Sequence, residues 1–308
     1  MSAPLRALAE RAGDEGPGPP RQAALHSCAV RDRALAGAAM IVGTSLSIQV
    51  AAAIAHDLFE RLGPVGVSAV RFALAAVILL AIARPAIRGR DAATWRAIAV
   101  YGVSLAALNL TFFQAISLIP MGIVVTLSFI APLAMALVCS HRRRDVAWAL
   151  LAGAGVATLG GIDRPGSLSG ILFALASGCA WVGVAYAGRS LGRRTRRIDG
   201  LALAIPIAAL ITVPLGTTIG HAGAVDVRSL AIGLVIAVGG LIIPFGLELE
   251  GLRRLEPRIV AIIYSVDPAI AAVVGLLALG ERLTAFQVVG IVAVMVASAS
   301  ATMTAART

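Results

Sequence analysis

The sequence predicts an all-α integral membrane protein with ten transmembrane helices, arranged as two inverted repeats of five helices. Three observations predict this fold. Hydrophobic residues make up 59% of the chain, charged residues make up 14%, and the mean hydropathy is +0.91, whereas soluble domains are about 45–50% apolar. The apolar residues fall into runs of about 20, the length that crosses a bilayer. A motif of the first half returns in the second half.

The apolar runs give ten candidate spans, and the short separations between them favour hairpins of adjacent helices. The spans are residues 34–55, 64–83, 95–117, 121–140, 145–161, 168–190, 198–220, 229–251, 258–279 and 284–305. They divide into a first repeat, 34–165, and a second repeat, 166–305. The first 33 residues contain "GDEGPGPPRQ" and no apolar run, which predicts a disordered cytoplasmic tail.

The arginines predict the orientation in the membrane. All 26 cationic residues are arginines, and most lie in the spacers between spans. Eighteen fall in one set of alternate spacers, and only Arg61, Arg164, Arg228 and Arg282 fall in the other. Cytoplasmic loops carry the excess of positive charge, so we predict a multi-pass protein of the cell inner membrane with both termini cytoplasmic. The same placement argues against nucleic acid as a partner.

The repeat is clearest between residues 119–138, "IPMGIVVTLSFIAPLAMALV", and residues 256–274, "EPRIVAIIYSVDPAIAAVV". Each copy has one proline before the helix and a second proline, Pro132 or Pro268, inside it. An odd number of spans per repeat turns the second repeat upside down relative to the first. Interrupted helices near the midplane expose carbonyls to a cavity in such proteins. A simple kink is an equally good interpretation of the prolines alone.

Three ionisable residues inside the predicted spans, Arg71, Glu248 and Asp267, lack an oppositely charged partner on their own helix. A carboxylate at a helix centre costs about 2.5–3.5 kcal/mol on insertion scales, so such groups usually face a cavity or a partner. The alternative is that the three only bind one another and hold helices together. Glu250 differs, because Arg253 and Arg254 follow at helical spacing and predict a local ion pair.

If these groups line a cavity, one cation and two anions match a zwitterion plus a proton. Arg71 would hold a carboxylate through its planar donor fork. Asp267 or Glu248 would take an ammonium group or exchange protons. The polar candidates for hydrogen bonds to a small ligand, all of residue types that also serve as contacts between helices, are Asn109, Gln114, Thr126, Ser128 and Tyr264.

Several segments resemble the drug/metabolite transporter superfamily with paired EamA-type repeats, and within it the threonine and homoserine exporters. They include "GVSAVRFALAAVILLAI", "IPFGLELEGLRRLEP" and "DPAIAAVVGLLALGERLTAFQVVGI". The likeness covers nearly all of residues 34–303. It implies the drug/metabolite transporter fold and a ten-helix inner-membrane exporter of small amino acids, driven by proton antiport. Asp267 stands where the exporters are expected to have Glu, which keeps the charge and shortens the reach.

The rival interpretations are an intramembrane enzyme and an exporter of other molecules. His26, His56, His141 and His221 all lie in the tail or at span ends, so the spans predict no nucleophile–histidine pair or metal cluster. We therefore expect no enzyme, no cofactor and no metal. The closer alternative is an exporter of drugs, purine-like or other small metabolites on the same fold. The expected partners are the substrate, protons and the lipid bilayer.

Overall fold

The computed structural model describes residues 20–138, 151, 154–155, 167–195, 198–221, 225–255 and 257–305. Every regular element within these ranges is helical, as the composition predicts. Residues 1–19 of the predicted tail lie outside them. The predicted fifth span, 145–161, also lies outside them apart from three residues.

Twelve α-helices and one π-helical turn make up the described chain. They are α1 (Pro20–His56), α2 (Phe59–Ala83), α3 (Ala92–Ile116), α4 (Met121–Ser128), α5 (Ile130–Val138), α6 (Ser167–Arg194), α7 (Asp199–Thr218), α8 (Val227–Ala237), the π turn (Val238–Ile242), α9 (Ile243–Arg254), α10 (Pro257–Tyr264), α11 (Asp267–Ala278) and α12 (Ala285–Ala305).

Six stretches of the described chain are long and apolar enough to cross a bilayer. They are Leu35–His56, Phe59–Ala83, Ala92–Ile116, Leu168–Arg194, Asp199–Thr218 and Val227–Glu248. Shorter apolar helices occupy Met121–Met135, Ile262–Ala278 and Ala285–Ser300. The chain is therefore a multi-pass membrane protein.

The first helix differs from the prediction at its N-terminal end. α1 begins at Pro20, so residues 20–33, which we predicted as part of a disordered tail, are helical. Proline is favoured in the first turn of a helix because its missing N–H would have no partner there. The following "RQAALHSCAVRDR" contains no further proline or glycine and is rich in alanine and arginine, which are good helix formers.

The two predicted interruptions occur, but not at the prolines themselves. α4 ends at Ser128, four residues before Pro132, and α10 ends at Tyr264, four residues before Pro268. A proline has no N–H to donate to the carbonyl four residues earlier, and its ring crowds that carbonyl. The break therefore falls one turn ahead of each proline, and Pro132 and Pro268 lie in the first turn of the second helix.

A third interruption lies in the predicted eighth span, which we expected to be one continuous helix. The π turn Val238–Ile242 separates α8 from α9. Pro244 follows in the first turn of α9. Because Pro244 cannot donate a backbone hydrogen bond, carbonyls of the preceding turn are left for other donors.

Aspartates begin two helices outside the apolar segments. Asp91 Oδ1 accepts from the Thr94 N–H at 3.2 Å, and Asp226 Oδ1 accepts from the Ser229 N–H at 2.8 Å. Both are N-caps of the kind that satisfies the unpaired donors of a first turn. The Ser229 hydrogen bond, with help from Arg61, lowers the pKa of Asp226 to about 2.

Packing of the helices produces two buried clusters. One joins α1, α3, α4, α11 and α12 and includes Phe113 and Met121, both fully buried. The other joins α2, α3, α6 and α7 around Phe72 and Ile98, also fully buried. α4 crosses α11, and α1 packs along α9, so the interrupted helices are brought against the first helix in the protein interior.

Candidate functional site

Arg71 is buried, with 5% of its surface exposed, and its partner is a backbone carbonyl. Its Nη2 donates to the Gly240 carbonyl at 2.5 Å. That carbonyl lies in the π turn, four residues before Pro244, which has no N–H to donate to it. Gly240 has no side chain to obstruct the contact, since a Cβ there would lie 2.8 Å from Nη2. The interruption of the eighth span therefore creates the position that receives the guanidinium.

Other side chains also donate to the backbone around this interruption. The Ser47 hydroxyl donates to the Gly239 carbonyl at 2.5 Å, and the Thr44 hydroxyl donates to the Pro244 carbonyl at 3.2 Å. Both residues are on α1. Polar side chains thus satisfy the freed carbonyls, as an interrupted helix in a membrane requires.

The Arg71 guanidinium retains unused capacity. Its Nε is buried and has no hydrogen-bond partner among the described residues. The guanidinium carbon lies 5.4 Å from the centre of the Phe113 ring, within cation–π range. The ring covers one face of the cation while the donor edge stays available. Such an arrangement suits the binding of a planar anion such as a carboxylate.

Asp267 begins α11 and is 6% exposed. The break before Pro268 places its carboxylate in the first turn of a helix, where the backbone N–H groups and the helix dipole favour negative charge. This position explains how an apolar span accommodates an aspartate. α11 packs against α1, and Asp267 Oδ1 is buried without a hydrogen-bond partner in the described chain.

Glu248 of α9 is half-buried and joins the ninth span through Tyr264. The Tyr264 hydroxyl donates to Glu248 Oε1 at 2.7 Å. Since Tyr264 is the last residue before the break in the ninth span, this hydrogen bond links the eighth and ninth spans beside their interruptions. Within the described residues, no ion pair joins Arg71 to Asp267 or Glu248. Thus no ion pair in the described chain supports the alternative that the three only bind one another and hold helices together.

The predicted local ion pair of Glu250 is confirmed. Arg254 Nη2 lies 2.7 Å from Glu250 Oε1, four residues apart on α9. Both side chains are about one third or more exposed. Glu250 is thus a solvated neighbour of Glu248 with a different environment.

An aromatic contact between the two proline-containing spans was not anticipated from the sequence. The Trp181 ring of α6 lies edge-on to Phe129 at 4.9 Å and to Tyr264 at 6.3 Å between ring centres. Phe129 occupies the break in the fourth span, and Tyr264 precedes the break in the ninth. Nothing in the pattern of α6 distinguishes Trp181 from a lipid-facing aromatic residue.

The other predicted site residues divide into two groups. The Thr126 hydroxyl donates within its helix to Gly122, and Ser128 bonds Val124 and the Ser177 hydroxyl, so both serve helix structure and packing. Asn109 is buried and its Oδ1 has no partner in the described chain. Gln114 is half-buried at the end of α3.

Gln49 of α1 is a further candidate that was missed by the sequence analysis. It is buried, and its Oε1 has no partner among the described residues. The signal was present in "TSLSIQ", residues 44–49, where polar residues recur at a spacing of four in an apolar span.

The donors and acceptors left unused define what this region can bind. A cationic donor, Arg71 Nε, and acceptors on Asp267, Asn109 and Gln49 are all buried and have no partner among the residues that the structure describes. Leaving each such group unpaired costs about 1–3 kcal/mol, a cost that a polar ligand would offset. The chemistry matches a small molecule carrying both an anion and hydrogen-bond donors.

A multi-pass membrane protein with interrupted helices around buried charges belongs to the class of membrane transporters. Residues 168–303 match the model of the EamA-like transporter family. The chain is 36% identical over 265 residues to the threonine/homoserine exporter RhtA of Salmonella typhimurium strain LT2, covering 85% of this chain and 89% of that protein. It is 36% identical over 262 residues to the exporter of the same name from Escherichia coli strain K12, covering 84% and 88%.

A protein of known crystal structure has the same fold, with a TM-score of 0.61 at 18% identity, over 88% of this chain and 98% of that one. The chain belongs to the EamA-like transporter family. The resemblance to the threonine and homoserine exporters within that family is confirmed. Family and relatives imply a transport role rather than an enzymatic one.

Proposed function

We propose that this protein exports small amino acids resembling threonine and homoserine across the inner membrane, by proton antiport with alternating access. The observation that carries the proposal is a buried arginine and a buried aspartate, Arg71 and Asp267, which within the described chain keep unpaired polar atoms and do not pair with each other. Opposite charges held apart in an apolar interior suit a ligand that bears both complementary charges.

The two charged ends of an amino acid have separate binding groups in this proposal. Arg71 holds the carboxylate through its unused donor edge, with Phe113 behind the guanidinium. Asp267 holds the ammonium group with the oxygen that lacks a partner. The relatives named as threonine/homoserine exporters support this substrate class.

Proton coupling rests on the two carboxylates, Asp267 and Glu248. A carboxylate that holds an ammonium group in one state and a proton in the other exchanges one for the other. The membrane potential supplies about 2.3 kcal/mol per charge per 100 mV, and a tenfold concentration step requires about 1.4 kcal/mol. One proton therefore supports outward transport against a concentration gradient.

The proposed architecture has ten spans in two inverted repeats, 34–165 and 166–305, with both termini cytoplasmic. The equivalent breaks at Ser128 and Tyr264, each four residues before a proline, support the repeat. The arginine distribution supports the orientation. The inverted arrangement places the interrupted fourth and ninth spans at the centre of the transport path.

An exporter of planar metabolites is the second candidate. The aromatic cluster of Phe129, Trp181 and Tyr264 favours it, because planar bases stack on aromatic side chains. It requires a ligand without a zwitterionic head. Amino acids and purine-like compounds compared in one assay distinguish the two candidates.

Counterflow in proteoliposomes tests the proposed function. Vesicles loaded with unlabelled threonine or homoserine are expected to accumulate the labelled amino acid, and a proton gradient is expected to drive net uptake or release. Empty liposomes and vesicles loaded with a purine are the controls. If no amino acid exchanges while a purine does, the second candidate replaces the first.

Replacing Glu248 by glutamine tests the coupling. Glu248→Gln keeps an acceptor for the Tyr264 hydroxyl but cannot carry an exchangeable proton. Counterflow is expected to continue, and acceleration by a proton gradient is expected to disappear. Glu250→Gln is the matched control, since Glu250 is a solvated ion-pair partner two residues away. Normal gradient-driven transport by Glu248→Gln would remove Glu248 from the coupling mechanism.

A further inference from the structure

We propose that Gln49 recognises the side chain of the substrate, so that its amide selects hydroxylated over purely aliphatic amino acids. This inference rests on the proposed function, because it assigns a selecting residue to the same site. It adds a third binding group to those for the carboxylate and the ammonium.

Gln49 is a buried residue of α1. On α1 it shares a face with Ser45, one turn before it, and Ala52, nearly one turn after it. α1 packs against α11, the helix that begins at Asp267, and Ala52 packs in the buried cluster that contains Phe113 and Ala271. Gln49 therefore lies on a buried face of the helix that packs against α11, beside a residue of the cluster that contains Phe113.

The amide oxygen of Gln49 differs from the other polar groups of α1 near it. The polar neighbours on α1 are satisfied by backbone carbonyls, since Thr44, Ser45 and Ser47 all donate to them. Gln49 is 4% exposed, and its Oε1 has no partner in the part of the chain that the structure describes. Buried polar groups are normally hydrogen-bonded, so an amide oxygen left without a partner in the described chain is available to a bound ligand.

The chemistry of an amide identifies that partner. Every amino acid carries the carboxylate and ammonium that Arg71 and Asp267 bind, so those contacts do not discriminate among side chains. An amide oxygen accepts the proton of a hydroxyl group. A ligand with a methyl in place of the hydroxyl leaves the buried Oε1 unpaired, and a site built for a hydroxyl rejects it for that reason. Asn109, whose Oδ1 is also buried and unpaired, has the same capacity.

The test measures the preference for threonine over valine, in which a methyl replaces the hydroxyl, by competition in proteoliposome counterflow. Wild-type protein is expected to prefer threonine. Gln49→Met keeps the length of the side chain and removes its hydrogen bonds, and it is expected to reduce the preference about tenfold, the effect of one lost hydrogen bond. Gln49→Met is expected to slow threonine exchange and to leave valine exchange unchanged or faster. The preference for homoserine over norvaline, in which a methyl again replaces the hydroxyl, is expected to fall in the same way.

Two further variants separate selection from folding. Thr44→Val removes a hydroxyl on the same helix that only bonds backbone carbonyls, and the preference is expected to stay at the wild-type value. Gln49→Leu is a second apolar replacement, expected to lose the preference in the same way, and elution as a single species in detergent shows that each variant is folded.

The outcomes that overturn the inference are distinct from failure of the proposed function. If folded Gln49→Met and Gln49→Leu keep the wild-type preference, Gln49 does not select side chains. If threonine and valine exchange fall equally, Gln49 contacts groups that the two share, and the inference is wrong although amino-acid transport stands. If wild-type protein exchanges no amino acid, both the proposed function and the inference fail.

Discussion

Arg71→Ala is expected to abolish amino-acid export while the protein still inserts into the membrane. The substitution removes the buried cation proposed to hold the substrate carboxylate. A hydrogen bond to a charged group contributes about 1.5–3 kcal/mol, equivalent to about 10-fold to 150-fold in affinity. Loss of a two-pronged contact in an apolar interior reaches the upper end of that range. Export assays in cells and counterflow in proteoliposomes both measure the effect.

The same substitution also deprives the Gly240 carbonyl of its donor, so a structural contribution must be separated from binding. Arg71→Gln keeps a side-chain N–H donor, on a shorter side chain, without the charge. Arg71→Lys retains the charge without the planar fork. Both are expected to fold and to export poorly. Normal export by Arg71→Gln would show that Arg71 serves the eighth span alone.

Arg61→Ala is the matched control for loss of an arginine. Arg61 forms an exposed ion pair with Asp226 at 2.9 Å, and its side chain is 53% exposed. Exposed ion pairs contribute little because water and salt screen them. Its removal is expected to leave export near the wild-type rate, so a loss confined to Arg71→Ala is not a general effect of removing positive charge.

The hydropathy pattern predicts the helices well because the bilayer imposes a length and a composition on every span. The prolines predict the interruptions because each one lacks the backbone N–H that a continuous helix requires at its position. The exact break depends on the carbonyl that loses its donor, one turn earlier, which is why the helices end at Ser128 and Tyr264 rather than beside Pro132 and Pro268.

The candidate site is predictable only in part. Arg71, Glu248 and Asp267 are visible in the sequence because a charge in an apolar span is costly. Their partners depend on packing between helices distant in the chain. Arg71 donates to the Gly240 carbonyl, which lies one turn before Pro244. Pro244 is 173 positions after Arg71 in the chain, so the pattern of residues within one span does not reveal the contact. Gln49 is neutral and was hidden among other polar residues of α1.

Glu281→Ala is expected to lower the stability of the protein more than any other single change in a turn. Both carboxylate oxygens of Glu281 accept from the Met121 N–H, at 3.0 and 2.9 Å. Met121 is the first residue of α4, where backbone donors lack helical partners and the dipole favours an anion. Gly275 on α11 leaves room for the carboxylate, since a Cβ there would collide with Glu281 Oε2.

The contact joins the fourth span to the turn after the ninth, so it connects the two proposed repeats. Its loss is expected to cost about 1.5–3 kcal/mol, seen as a lower melting temperature in detergent. Glu281→Gln keeps an acceptor for the Met121 N–H, and its melting temperature is expected to fall less. Glu60→Ala, which removes an exposed carboxylate from the start of α2, is the control. A melting temperature unchanged in Glu281→Ala would show that the hydrogen bond does not stabilise the assembly.

A disulfide across the same contact determines whether it opens during transport. The Met121 Cβ lies 3.6 Å from the position of a Cβ at Gly275, within the range for a disulfide. With Glu281→Ala to make room and Cys28, Cys139 and Cys179 replaced by serine, Met121→Cys with Gly275→Cys is expected to recover the melting temperature on oxidation. Export should stop in the oxidised protein and resume after reduction, because alternating access parts packed helices on one side at a time. Full export by the oxidised protein would mean that α4 and α11 stay joined throughout the cycle.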